Sequence, residues 1–428
     1  MARVIPTRFG AAFPALRHRN FRLFVGGQFV SLCGTWMQSV ALGWLVLTMT
    51  DSAFAVGMVA AAGSLPVLLF TLQGGALASR SNRLRLVTVL QSLMLVEAAV
   101  LAILTWSGQV TLGWVVLLAM SHGLFSAFEI PARQTLLLDL VGRSDLMNAV
   151  ALNSTTFNVS RVIGPALGGM IMAVTGPAVL FAINAVSYLG VLISLFRIRL
   201  DPDLIVPTRA RPSMREALEF ILNPGWPRTL VIQSAAYTIF GISFLTMLPV
   251  YARDALGTGA AGYGWLAAAF GVGAAAGALL LAGFGPAQAR GGIALRAGVV
   301  VSLSLLLLSV APVAPLAFLL LVAAGASLAT HAITTNTLLQ TEAPDALRGH
   351  VIGFYAFVVV GLAPFGALQI GVVSELAGVR VAAAVGGVIC LIMTLWMTAE
   401  IRRTLGGTID RRRPAPSEAP FNWQERRK

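Results

Sequence analysis

Twelve long apolar runs follow one another along the chain, at 22–48, 53–78, 85–107, 111–135, 146–173, 178–198, 228–252, 261–284, 292–311, 315–340, 348–374 and 380–400. Each is bounded by charge, Gly or Pro, and each has the length that crosses the ~30 Å hydrocarbon core of a bilayer as a helix. In lipid a helix satisfies its own backbone donors and acceptors, so runs of this kind predict an all-α membrane protein with twelve transmembrane helices. Composition agrees: the 428 residues are 57% apolar and only 11% charged, where soluble domains carry about a quarter charged. A mean hydropathy of +0.83 excludes disorder, secreted disulfide scaffolds and water-soluble enzymes. Cys33 and Cys390 lie in apolar runs near opposite ends and predict neither a disulfide nor a metal site.

The 30 Lys+Arg against 17 Asp+Glu leave +13, and the position of that excess is more telling than its size. With the N-terminus in the cytoplasm, every basic residue except Arg161, Arg253 and Arg380 falls on the cytoplasmic side. That is the positive-inside pattern, and it places both termini in the cytoplasm. The opposite orientation would export Arg80, Arg83, Arg85 and the run Arg411-Arg412-Arg413. Because the basic residues share short segments between spans, no nucleic-acid partner is expected. The first run lacks a small-residue cleavage site and reads as a retained helix, not a signal peptide.

One long polar interruption, 199–227, divides the runs six and six. The expected organisation is a cytoplasmic segment 1–21, a six-helix bundle 22–198, a cytoplasmic linker 199–227, a second bundle 228–401 and an Arg- and Pro-rich tail 402–428 that is expected to be disordered. The halves repeat. Gly57-Met58-Val59-Ala60-Ala61-Ala62 recurs as Gly264-Trp265-Leu266-Ala267-Ala268-Ala269, and Thr135-Leu136-Leu137 recurs as Thr337-Leu338-Leu339, at offsets of 207 and 202. Two matches at corresponding places suit parallel repeats about an axis normal to the membrane.

Twelve spans, a six-plus-six repeat and a central loop resemble the major facilitator superfamily. Leu16-Arg17-His18-Arg19-Asn20-Phe21-Arg22-Leu23-Phe24, Gly27-Gln28 and the stretch from Ser31 to Gln38 resemble its enterobactin-exporter-like branch. So do Pro131-Ala132-Arg133-Gln134, Asn148 to Ser154, and Arg161-Val162-Ile163-Gly164-Pro165-Ala166. The likeness covers the first half and thins in the second, where Arg348-Gly349-His350-Val351 is the best anchor and relatives usually have Arg at His350. It implies two pseudo-symmetric six-helix bundles in a bacterial cytoplasmic membrane, acting as a monomer.

In that superfamily the loop between the second and third helices usually reads Gly, three residues, Asp, basic, any, Gly, Arg. Here Gly75, Arg80 and Arg83 fit, while Ser79 replaces the acid and Asn82 the second Gly. The resemblance implies a cytoplasmic gate in which that acid faces a helix N-terminus of the other half; Ser79 keeps a hydrogen-bonding group but gives up a charge–dipole attraction of about 0.3–1 kcal/mol. Gly164, Pro165, Gly168 and Gly169 resemble the signature of the superfamily's antiporters. Small residues at 164 and 168 also permit close helix approach, and Pro165 removes a backbone donor, which suits an outer gate.

Charges within spans mark function, since each costs at least about 2.5–3.5 kcal/mol at mid-bilayer. Arg161, Glu97, Glu129 and His331 are the candidates, and the 202-residue offset makes Glu129 and His331 pseudo-equivalent. Glu129 is expected to pair with Arg161, either as a titrating proton-coupling site or as a permanent ion pair; Arg133 lies beside it on the same run. Glu97 suits helix packing better than coupling, and His331 suits either a hydrogen-bonding or a titrating role. Gln28, Ser31, Thr35 and Gln38, then Asn153 and Asn158, then Gln233 and Tyr237, then Thr334 and Asn336, with Trp36, Phe240 and Phe244, are candidates for a substrate cavity or for interhelical hydrogen bonds.

No phosphate loop, nucleophile elbow or zinc-ligand pair is present, so neither an enzyme nor a cofactor is expected. The leading expectation is proton-coupled efflux of a small amphiphilic molecule, siderophore or drug-like, by rocking of the two halves. One proton crossing 100 mV supplies about 2.3 kcal/mol for this. Its partners are the small-molecule substrate, protons and membrane lipid. A facilitative or uptake transporter of a nutrient, and a non-transporting membrane scaffold, are the alternatives.

Overall fold

A computed structural model describes residues 13–200, 214–222, 226–283, 290–344 and 347–404. Most of 1–21, of the linker and of the tail therefore lies outside the described residues. The helices are α1 (Arg19–Thr50), α2 (Ala53–Arg80), α3 (Arg83–Trp106), α4 (Leu112–Thr175), α5 (Pro177–Arg197), α6 (Met214–Leu222), α7 (Pro227–Ala255), α8 (Gly259–Gly283), α9 (Arg290–Val310), α10 (Ala314–Glu342), α11 (Arg348–Ala377) and α12 (Val379–Thr404). All but α6 are long and apolar enough to span a membrane.

Straight, the 64 residues of α4 would run about 96 Å, three times the hydrocarbon thickness. Gly142 breaks it, with φ 72 and ψ 179. Limbs 112–141 and 143–175 each suffice for a crossing, so eleven helices make twelve crossings. An even number of crossings returns both ends of the chain to one side, hereafter the terminal face. The other side is the distal face.

Short connections are fixed by local chemistry. Asp51 leaves α1 with a left-handed φ of 51, and Ser52 Oγ then caps α2 by accepting from the Ala55 N–H at 3.1 Å. Asn82 Oδ1 caps α3 by accepting from the Arg85 N–H at 3.0 Å. Gly176 (φ 78) ends α4, and Pro177 opens α5 where a missing N–H costs nothing. α7 is irregular: Tyr237–Gly241 and Tyr251–Ala255 are π-helical and Ile242–Met247 is 3-10. α11 is interrupted at Leu362, two residues before Pro364.

Two six-helix bundles result. In the first, α1 packs on α5 and on the second limb of α4, and α2 packs on α4. In the second, α8 packs on α10, and α9 on α10 and α12. The linker holds one element that no apolar run marked. Helix α6 places Ile221, 1% exposed, against a cluster that includes Val231, Leu339 and Val351.

Candidate functional site

The bundles meet along two seams, both built on glycine. A Cβ on Gly57 of α2 would come within 2.9 Å of the Cα of Gly371 on α11. On the opposite side, a Cβ on Gly169 of α4 would come within 2.6 Å of the Cα of Gly264 on α8. The repeat offsets relate the two seams: 57 plus 207 is 264, and 169 plus 202 is 371. Polar contacts close the distal face above them. Asp51 pairs with Arg253 at 2.7 Å, and Glu375 Oε2 accepts from Ser52 Oγ and the Phe54 N–H, each at 3.0 Å.

Close approach of this kind is missing at three glycines nearer the terminal face. Gly75 of α2 and Gly349 and Gly353 of α11 have nothing within 4 Å of the place a side chain would begin. Ser79 and Arg80 are exposed, and the Ser79 hydroxyl donates back to the Ala76 carbonyl of its own helix at 2.8 Å. Among the described residues, the polar side-chain contacts between the halves named here and the two glycine seams thus lie on the distal side. Among the described residues Ser79 makes no hydrogen bond across the halves, and Arg83 pairs with Asp139 instead.

Among the described residues every buried carboxylate is in the first bundle. Glu129 Oε1 accepts from Arg133 Nε and from Gln91 Nε2, both at 2.9 Å. Nearer the terminal face, Arg83 Nη1 donates to Asp139 Oδ1 at 2.6 Å, tying the start of α3 to the first limb of α4. Toward the distal face, Glu97 accepts from Gln38 Nε2 at 3.2 and 3.3 Å and meets His122 Nδ1 at 3.2 Å. Gln38 Oε1 in turn accepts from Asn184 Nδ2 at 2.7 Å, so four crossings share one polar chain.

Arg161 corrects an expectation. Among the described residues no ion pair joins it to Glu129, which is taken by Arg133 four residues along the same helix. The guanidinium lies between two rings: its carbon is 5.6 Å from the centroid of Trp36 and 4.8 Å from that of Phe270. Trp36 belongs to the first bundle and Phe270 to the second, and Phe157 packs edge-on against Trp36 at 5.7 Å. A Cβ on Gly271 would meet the Arg161 carbonyl at 3.0 Å, so this cluster stands on the α4–α8 seam. Each cation–π contact contributes roughly 0.5–2 kcal/mol, against at least about 2.5–3.5 kcal/mol for a charge at mid-bilayer.

In the second bundle the polar interior is neutral. His331 Nε2 lies 3.4 Å from Ser234 Oγ and 3.5 Å from Thr335 Oγ1, and its ring tilts against Tyr237 at 4.8 Å. Tyr237 Oη accepts from Gln233 Nε2 at 2.9 Å and meets Thr394 Oγ1 at 2.6 Å.

The profile of the family described as transmembrane secretion effector matches residues 10–417 of the chain. The chain belongs to that family. Its relatives include the staphyloferrin A transporter of Staphylococcus aureus, 30% identical over 54% of this chain and 58% of that protein. The Tap multidrug efflux pump of Mycolicibacterium fortuitum is 28% identical over 81% of this chain and 87% of its own. The enterobactin exporter EntS of Citrobacter koseri is 26% identical over 90% and 93%. In fold, the chain is similar to a bacterial homologue of the human lysosomal transporter Spinster in an inward-facing, unoccupied conformation, with a TM-score of 0.73 and 14% identity over 93% of this chain and 99% of that one. The chain is therefore a multi-pass bacterial membrane protein and a secondary transporter of the major facilitator type, which is not a class of enzyme.

The sequence-predicted cavity residues divide. Gln38, Gln233 and Tyr237 are buried and make their hydrogen bonds within their own bundles. Gln28 and Thr334 are also buried, and each keeps an atom without a partner: Gln28 Oε1 and Thr334 Oγ1. Thr35, Trp36, Asn153, Asn158, Phe240 and Asn336 are half-buried, although Asn158 donates to Ser154 O at 2.9 Å on its own helix. Ser31 and Phe244 pack inside their bundles. Of the antiporter-type motif, Gly164 packs against Trp36 and Gly168 against Met37, both on α1, whereas Gly169 reaches the other bundle. Gln91, His122, Asp139 and Asn184 escaped sequence reasoning. Asp139 did so because the fourth run was ended at 135, whereas the helix continues to Gly142.

Proposed function

We propose that this protein exports a small amphiphilic molecule, siderophore or drug-like, from the cytoplasm in exchange for protons, acting as a monomer with the terminal face cytoplasmic. The observation that carries the reading is the close approach of the halves on two pseudo-equivalent glycine seams toward the distal face, with Gly75, Gly349 and Gly353, nearer the terminal face, having no neighbour within 4 Å among the described residues. A rocking of the halves that unzips these seams would expose the same central space to the distal side. The names of the relatives supply the substrate class, and the positive-inside pattern supplies the orientation. Glu129 is the proton-coupling carboxylate: it sits 4% exposed on the helix whose other limb forms a seam, and Arg133 and Gln91 hold it. A change in burial or in the reach of Arg133 as the halves rock loads or releases its proton. Glu97 and His122 hold the first bundle together.

In everted vesicles, an imposed proton gradient should drive substrate accumulation, and Glu129→Gln should abolish the drive while leaving binding measurable. Gradient-driven transport at the wild-type rate by Glu129→Gln would remove this carboxylate from the mechanism. Transport that survives collapse of the gradient would replace exchange with facilitated diffusion.

A further inference from the structure

The stretch from Ala15 to Phe24, at the start of the chain, takes no part in the seams or in the buried ion pairs. It is fastened to the first bundle instead. The Ala15 N–H donates to Asn148 Oδ1 at 3.1 Å, His18 Nε2 meets Asp145 Oδ2 at 2.7 Å, and Asn20 Nδ2 donates to the Arg199 carbonyl at 2.7 Å. The first two contacts reach the segment that follows the Gly142 break of α4, and the third lies just past the end of α5. Phe21 and Phe24 bury the inner side of the stretch. Four arginines are thereby left facing outward at one corner of the terminal face. Arg19 and Arg22 share a face of α1 at a spacing of three, Arg197 and Arg199 close α5, and Arg19 Nη1 donates to the Arg197 carbonyl at 3.4 Å. All four are exposed, and among the described residues no carboxylate pairs with any of them. The first turn of α1 holds no acid, and Asp145 is engaged by His18. Like charges gathered in this way repel one another unless an anion stands among them.

We propose that this corner binds the phosphate headgroup of an anionic phospholipid from the leaflet at the terminal face, with an acyl chain lying along α1 and α5. The arginines supply the charge, since guanidinium forks take phosphate oxygens in pairs. The helices supply an apolar strip that begins where the arginines end. On α1, one turn beyond Arg22, Gly26 has nothing within 4 Å of the place a side chain would begin, and one turn farther Val30 is exposed. On α5, Phe196, next to Arg197, is 76% exposed, and Ile193 continues the same outward side. The strip ends where the helices meet, a Cβ on Gly190 standing 3.6 Å from Val30 Cγ1. A soluble phosphate ester would use the arginines alone, whereas a lipid uses the arginines and the strip together. Since α1 and α5 belong to one bundle, such a lipid would stiffen one of the two moving bodies and leave the seams between them untouched.

The test uses the purified full-length chain in detergent and two probes with identical chains, dioleoylphosphatidylglycerol and dioleoylphosphatidylcholine. Native mass spectrometry counts the lipid molecules retained. The wild type should hold one molecule of the anionic probe at least about tenfold more tightly than the zwitterionic one. Arg19→Gln and Arg197→Gln should each weaken retention of the anionic probe about fivefold, the worth of one cation at an anionic surface, and leave the zwitterionic probe as it was. Arg19→Lys keeps the charge and should keep most of the binding. Arg80→Gln combined with Arg85→Gln, exposed on the same face but on α2 and α3, should change neither probe. Equal retention of the two probes by the wild type overturns the proposal, as does a loss in Arg19→Lys equal to that in Arg19→Gln. A control pair that weakens the anionic probe as much as the corner variants also overturns it, because the attraction would then belong to the whole face. Displacement of the lipid by glycerol phosphate at equal concentration would make the ligand a free phosphate ester and refute the lipid. None of these outcomes depends on transport, so the export reading stands or falls separately in the vesicle assay.

Discussion

The two bundles place the same contact at the same address and build it from different chemistry. Glu129 meets Arg133 across one helical turn at 2.9 Å, and 202 residues later His331 meets Thr335 across one turn at 3.5 Å. The first is a buried ion pair with a third partner, Gln91; the second is an imidazole beside hydroxyls. The pattern extends through each interior, since Glu97, Glu129, Asp139, Arg83 and Arg133 are all buried in the first bundle. A duplicated scaffold has concentrated its charge in one copy. The first bundle then holds the groups that a proton can neutralise, while the second offers a neutral wall to move against.

Substitutions can break that comparison. The largest effects belong to the charged side: Glu129→Ala strands Arg133, and Arg83→Met strands Asp139, each lowering stability by about 3–5 kcal/mol. Thermal unfolding in detergent measures this, and a loss below about 1 kcal/mol would mean that water already reaches these pairs. His331→Glu should destabilise by a similar order, because Thr335 stands where an arginine would be needed. An unchanged melting curve for that variant would erase the distinction between the halves. His331→Leu should cost no more than about 1 kcal/mol, its hydrogen bonds being long.

Smaller effects sharpen it. Glu97→Gln keeps a group that accepts from Gln38, so it should cost about 1 kcal/mol and leave gradient-driven transport in place; lost drive would transfer the coupling role from Glu129 to Glu97. Ser79→Asp should favour closure of the terminal face by about 0.3–1 kcal/mol. Protection of a single cysteine placed at Gly75 reports on it, and an unmoved cysteine would show that the latch lies elsewhere.

Crossings were legible in the sequence because spanning needs only length and hydrophobicity, both of which are local. Even the doubled helix α4 was divided in the right region, with the break falling at Gly142, between the predicted runs. Glu129 and Arg161 drew attention because charge in lipid is expensive, but their pairing was misjudged. Arg133 lies four residues from Glu129 and has the shorter reach, a local signal present in the sequence. Gln38, Gln91, His122 and Asn184 form their contacts between different helices, and one sequence carries no register between helices. The glycine seams occupy a middle position. Gly57 and Gly264 stood out as a repeat, whereas their partners Gly371 and Gly169 became apparent only once the offsets met the packing.

Those seams bear on the speed of the transport cycle. Where leucines interdigitate, each separation frees rotamers that must be frozen again on return, at roughly 0.5–1 kcal/mol per side chain. Glycine has no side-chain rotamers to freeze. Backbone meeting backbone at Gly57–Gly371 and Gly169–Gly264 lets the distal face open and reseal with little entropy to recover, like a zipper whose teeth need no realignment.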